Sequence, residues 1–116
     1  MPKPPTPPPG FSAIENPVVR SAVMALNARD REGWFDLFSK PAFSDDGVPR
    51  DFEKWCDEEL FGRARSQILS VDKVEDGGLT FYARYRSDKW GEFQTFWKFV
   101  IKDRKIVKLD VGATTY

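Results

Sequence analysis

Phe93-Gln94-Thr95-Phe96-Trp97-Lys98-Phe99-Val100-Ile101 sets Phe93, Thr95, Trp97, Phe99 and Ile101 on one side of an extended chain and Gln94, Phe96, Lys98 and Val100 on the other. Upstream, Leu79, Phe81, Ala83 and Tyr85 alternate with Thr80, Tyr82, Arg84 and Arg86, so residues 67–112 read as successive strands. Residues 16–62 instead carry apolar side chains at helical spacing. Helices followed by an uninterrupted meander must lie on one face of the sheet, and the predicted class is α+β: three N-terminal helices packed on an antiparallel sheet.

The helices can be placed from their boundary residues. Asn16-Pro17 starts the first, Asn as cap and Pro at the first helical position, and Val18, Val19, Ala22, Val23 and Leu26 form its stripe. Asp30 caps a short second helix carrying Trp34, Phe35, Leu37 and Phe38, stopped before Pro41. Phe43 to Gly47 reads as a brief extended piece and turn. A third helix runs from about Pro49, with Phe52, Trp55, Cys56 and Leu60 on one side and Gly62 as its stop.

In the strand half, a two-residue turn at Asp103-Arg104 places Lys102 opposite Lys105, Ile101 opposite Ile106 and Trp97 opposite Asp110. That register puts the Asp110 carboxylate on the covered face. The strand at 67–74 keeps two registers open, because Asp76-Gly77-Gly78 allows a turn of two or three residues, and Asp72 faces either way.

Composition narrows the chemistry. The 116 residues suffice for one domain. Eighteen basic and 18 acidic residues cancel, which removes the basic footprint of a nucleic-acid binder. With no histidine there is no Ser-His or Cys-His pair and no His metal ligand, so neither a metal nor a cofactor is expected. Proton transfer would fall to Asp, Glu, Tyr or Lys. The single Cys56 reads as a buried structural thiol and fits a reducing cytoplasmic location. Residues 1–10 hold most of the prolines, so residues 1–12 are expected to form a disordered arm before a domain at 13–116. No stretch has the length of a membrane span, and no membrane partner is expected.

Ala28-Arg29-Asp30 and Trp34-Phe35-Asp36-Leu37-Phe38, joined to Trp90-Gly91-Glu92-Phe93, Phe99 to Val107 and Leu109-Asp110, resemble the NTF2-like (SnoaL-like) superfamily over roughly residues 13–116. The resemblance implies a cone, a strongly curved sheet wrapped on three helices with a pocket at the open end. Members include isomerases, dehydratases, polyketide cyclases and non-catalytic binding or dimerisation modules. It implies Asp110 as the catalytic carboxyl with Tyr85 as its counterpart, and Trp34, Phe38, Trp55, Phe81 and Trp97 as pocket aromatics for a small apolar ligand. Each also has a structural reading: Asp110 as the partner of Lys108 or Arg84, the aromatics as core. Phe96, Val100, Val107, Leu109 and Val111 point outward in the register above and suggest a homodimer through the outer sheet face, as such folds commonly pair. Two functions stay open: a binding or dimerisation module, and a small isomerase, dehydratase or cyclase working by carboxylate-mediated proton transfer.

Overall fold

The computed structural model describes residues 6–116. A 3₁₀ turn at Phe11–Ala13 precedes α1 (Pro17–Ala28), α2 (Arg31–Phe35), β1 (Phe38–Asp45), β2 (Val48–Pro49) and α3 (Phe52–Trp55), which runs on into a π-helical turn at Cys56–Leu60. Then come β3 (Gln67–Glu75), β4 (Thr80–Ser87), β5 (Gly91–Lys102) and β6 (Lys105–Ala113). The caps explain the helix starts. Asn16 Oδ1 accepts from the N–H groups of Val18 and Val19 at 2.9 and 3.2 Å, Asp30 from Gly33 at 2.9 Å, and Asp51 from Lys54 at 3.0 Å.

Two elements depart from the sequence reading. The second helix ends at Phe35, and Leu37-Phe38 leads into a strand instead of completing another turn. Pro41 does not stop a helix; it sits inside β1, where the pairing with β6 skips from Phe38 to Ala42 and Lys40 takes a φ of 43°. An irregularity of this kind is where a strand tolerates proline. The third helix begins at Phe52 rather than Pro49, because Pro49 belongs to β2, returned by a tight turn at Asp46-Gly47 with φ of 51° and 80°.

The six strands lie in the order β2-β1-β6-β5-β4-β3. From β3 to β6 the pairs are antiparallel, as the meander requires, while β1 joins β6 in parallel. The helices cover one face. Val19, Ala22, Val23 and Leu26 of α1 are fully buried with Trp34, Cys56, Leu60, Ile68, Phe81, Trp97, Ile106 and Leu109. Asp72 is exposed, accepting from Ser70 Oγ and Tyr116 Oη, which settles the open register of that strand: Ile68 and Val71 face the core and Asp72 does not.

The register of β6 also differs. Lys102 opposes Lys105 and Ile101 opposes Ile106 as expected, but Val100 then opposes Lys108, leaving Val107 as an extra residue. A one-residue slip reverses every later side chain. Trp97 therefore opposes Val111, and Asp110 opposes Lys98 on the outer face. Leu109 and Val111, expected in the outward dimer patch, are core residues instead, 0% and 4% exposed.

The expected disordered arm through residue 12 is corrected as well. Residues 1–5 lie outside the described residues, but Pro8 and Phe11 are buried, and Pro9 O accepts from Val71 N at 2.7 Å. The cause is the unpaired edge of β3. At Ile68 the side-chain amide of Asn27 supplies both partners, donating to Ile68 O at 2.9 Å and accepting from Ile68 N at 2.8 Å; at Val71 the arm supplies the acceptor for the N–H. Gly10 makes the approach possible, since its φ is 83° and an added Cβ would fall 1.9 Å from Val71 O.

Candidate functional site

A cavity of about 720 Å³ opens where α3 crosses the sheet. Its wall takes Asp45 from β1, Trp55 and Glu59 from the α3 segment, Tyr85 from β4, Trp97 from β5 and Val111 from β6. The cavity has the size of a small-molecule site.

Asp45 is the carboxyl on the covered face. In the parallel β1–β6 pair, Phe43 aligns with Leu109 and Asp45 with Val111, both inward, while Ser44 aligns with Asp110 on the outer side. Trp55 Nε1 donates to Asp45 Oδ2 at 3.1 Å. Burial raises the Asp45 pKa above the ordinary carboxylate value; the Trp55 hydrogen bond opposes this, neighbouring Asp46 adds to it and Arg50 reduces it.

Asp110, the catalytic carboxyl expected from sequence, is not in the cavity. Its Oδ1 accepts from Ser44 Oγ at 2.5 Å, and Lys108 Nζ lies 3.8 Å from its Oδ2. It is the partner of Lys108, one of the structural readings. Tyr85 does line the cavity, but its hydroxyl is occupied. Ser66 Oγ donates to Glu59 O, so the bond between Ser66 and Tyr85 must use the Tyr85 proton. Burial raises the Tyr85 pKa, with Glu59 and Asp45 adding to the effect and Ser66 opposing it.

Among the expected aromatics, Trp55 and Trp97 reach the cavity and the other three do not. Trp34 is buried in the core, 5.0 Å from Phe38 between ring centroids, and Phe38 packs on Phe52 at 4.6 Å. Phe81 stacks behind Trp97 at 6.1 Å with planes 9° apart. A relay fixes Trp97: its Nε1 donates to Thr95 Oγ1 at 2.8 Å, and Thr95 Oγ1 donates to Ala83 O at 2.9 Å. Cys56 is buried and its thiol pKa is pushed far up by burial, so it is a structural thiol.

Sequence reading missed Asp45 and Glu59. Asp45 carried one usable signal, its parity with Phe43 along a strand, hidden by Pro41. Glu59 is held at the mouth by Lys89 Nζ and Trp90 Nε1, each at 3.0 Å. Among the described residues no group of three or more Cys, Asp or Glu could hold a metal ion, and no helix is long and apolar enough to cross a membrane.

No protein-family profile and no curated protein sequence matches the chain. Solved structures do match its fold. One is an NTF2-like protein of unknown function from Cytophaga hutchinsonii, with a TM-score of 0.64 and 14% identity over 84% of this chain and 87% of that one. A candidate polyketide cyclase from Sinorhizobium meliloti gives 0.62 and 17% over 85% and 97%. A candidate ketosteroid isomerase from Kribbella flavida gives 0.68 and 10% over 90% and 80%. The shared feature is the fold, an α+β NTF2-like cone, as the sequence resemblance implied.

Proposed function

We propose that this NTF2-like chain binds a small, largely apolar molecule in the cavity between α3 and the sheet. The observation that carries the proposal is Asp45, a half-buried carboxyl set between Trp55 and Val111 in a space with aromatic walls. Aromatic surface supplies affinity through burial, and one carboxyl orients the ligand. The buried, unpaired Cys56 suits a reducing, cytoplasmic setting.

The neutral fluorophore N-phenyl-1-naphthylamine tests the reading. Saturable one-to-one binding is expected, and Ala113→Trp, at an exposed position of the cavity mouth, should weaken it at least about tenfold. Binding that ignores Ala113→Trp refutes the cavity as the site.

A second reading is favoured by the raised pKa of Asp45: a proton-transfer enzyme of the isomerase, dehydratase or cyclase type, with Asp45 in place of Asp110. A carboxyl biased toward its protonated form by burial is suited to moving protons next to a carbonyl. Deuterium uptake at the α-carbon of a cyclic ketone, lost in Asp45→Asn, would carry this reading; no uptake above buffer removes it.

A further inference from the structure

The charges around the cavity are sorted by depth. Its basic residues, Arg50, Lys54 and Lys89, are all exposed, whereas Asp45 and Glu59 are the half-buried charged side chains of the wall. Glu59 is satisfied at both oxygens, by Lys89 Nζ and Trp90 Nε1. Asp45 is not. Its Oδ2 accepts from Trp55 Nε1, and among the described residues no hydrogen bond or ion pair engages its Oδ1. The neighbouring wall is aromatic, with Trp55, Tyr85, Phe93 and Trp97 around the same space.

These observations rank the ligands such a cavity could take. An anionic ligand would bring a third negative charge to Asp45 and Glu59. A neutral apolar ligand would expel water from Asp45 and leave the carboxylate without a counter-charge, at a cost in free energy. A cation meets both features, because a carboxylate compensates its charge and the negative face of an indole attracts it.

We propose that the cavity selects an organic cation, an aromatic or alicyclic ammonium compound, with its charged nitrogen at Asp45 and its carbon frame against Trp55 and Trp97. This rests on the cavity-binding reading above and names the ligand class. The rim bases oppose it little: Lys89 is neutralised by Glu59, exposed Lys54 shares the mouth with Asp46, Asp51 and Glu58, and exposed Arg50 acts on Asp45 through its charge, with no ion pair to it among the described residues.

The test compares 3-(trimethylammonio)phenol with 3-tert-butylphenol, its neutral isostere of the same shape, by calorimetry on the whole chain. The cation is expected to bind at least about tenfold more tightly, and Asp45→Asn should cut that preference to below about threefold while the neutral compound binds as well as before or better. A third ligand, 3-hydroxybenzoate, should bind about tenfold more weakly than the cation, a comparison that needs no variant and stands even where Asp45→Asn does not fold. Equal binding of cation and isostere overturns the charge selection and leaves the cavity reading intact. No binding of either compound, together with no binding of N-phenyl-1-naphthylamine, overturns both. A cation preference that survives in folded Asp45→Asn also overturns the assignment, since the charge is then recognised elsewhere.

Discussion

Trp55 Nε1 donates to Asp45 Oδ2 across 3.1 Å, tying the α3 segment to the last residue of β1 at the cavity wall. The bond has two ends that substitution can separate. In Asp45→Asn the amide oxygen still accepts from the indole, so the fold is expected to be as stable at neutral pH or more so. In Asp45→Ala the half-buried indole N–H loses its acceptor, at about 1–3 kcal/mol. Parallel thermal melts decide. A loss in Asp45→Asn as large as in Asp45→Ala would mean that the charge itself stabilises the fold.

Leu109 distinguishes the two registers of β6. Were it outward, truncation would change little; buried opposite Phe99 and beside Phe43, it fills the core. Leu109→Ala should therefore cost about 2–5 kcal/mol, against about 0.5 kcal/mol or less for Val100→Ala at a position that is 50% exposed. Urea titration of both variants gives the contrast.

The docked segment before α1 makes another prediction. Phe11 is buried under the Arg20 guanidinium, 4.6 Å from its ring centroid, and the chain just before it supplies the acceptor for Val71 N. Phe11→Ala is expected to cost about 2–4 kcal/mol, near the usual value for a core aromatic. Gly10→Ala should do comparable damage through the close approach to Val71 O. Unchanged melting temperatures in both would mean that the edge of β3 holds without this segment.

The parts of the fold legible in sequence are those set by neighbours. Asn16-Pro17, Asp30 and the alternation of Phe81 to Tyr85 against Phe93 to Trp97 fix helix starts and the β4–β5 faces within a few residues. What escaped depends on distant contacts or on irregularity. β1 is interrupted at Lys40-Pro41, and apart from its short hairpin with β2 it gains its pairing from β6, more than 60 residues on, so only its end at Phe43 to Gly47 carries a local signal. The extra residue Val107 has no turn or glycine signature, yet it moved Asp110 from the cavity to the outer face. The carboxyl that lines the cavity is Asp45 of β1, not Asp110 of β6.

Self-association through the outer sheet face is still a testable proposal, on a smaller patch than five residues. With Leu109 and Val111 buried, Phe96, Val100 and Val107 are what is left of it, bordered by Lys98, Lys108 and Arg84. A dimer there would have an apolar centre and a charged rim. Light scattering at tens of micromolar should report a dimer, and Val100→Lys should yield monomers with an unchanged circular dichroism spectrum. A monomeric parent protein removes the proposal.

The pH dependence of stability follows from Asp45. Burial raises its folded-state pKa above the unfolded value, so folding favours the protonated carboxyl. Its contribution is then complete below the unfolded pKa and is lost as pH rises through the folded one. Asp57 acts in the opposite sense. Its hydrogen bond from Arg31 at 2.7 Å lowers its pKa, and its contribution is present above the unfolded pKa and lost as pH falls through the folded value. That ion pair is exposed and screened by salt, whereas the Asp45 effect comes from desolvation and is not. The stability difference between Asp45→Asn and the parent should therefore grow as pH rises through the Asp45 titration, in low and high salt alike. Denaturation curves of the two proteins across the acidic range measure it. A difference that shrinks with rising pH would reverse the sign and place Asp45 among the stabilising, ionised carboxylates.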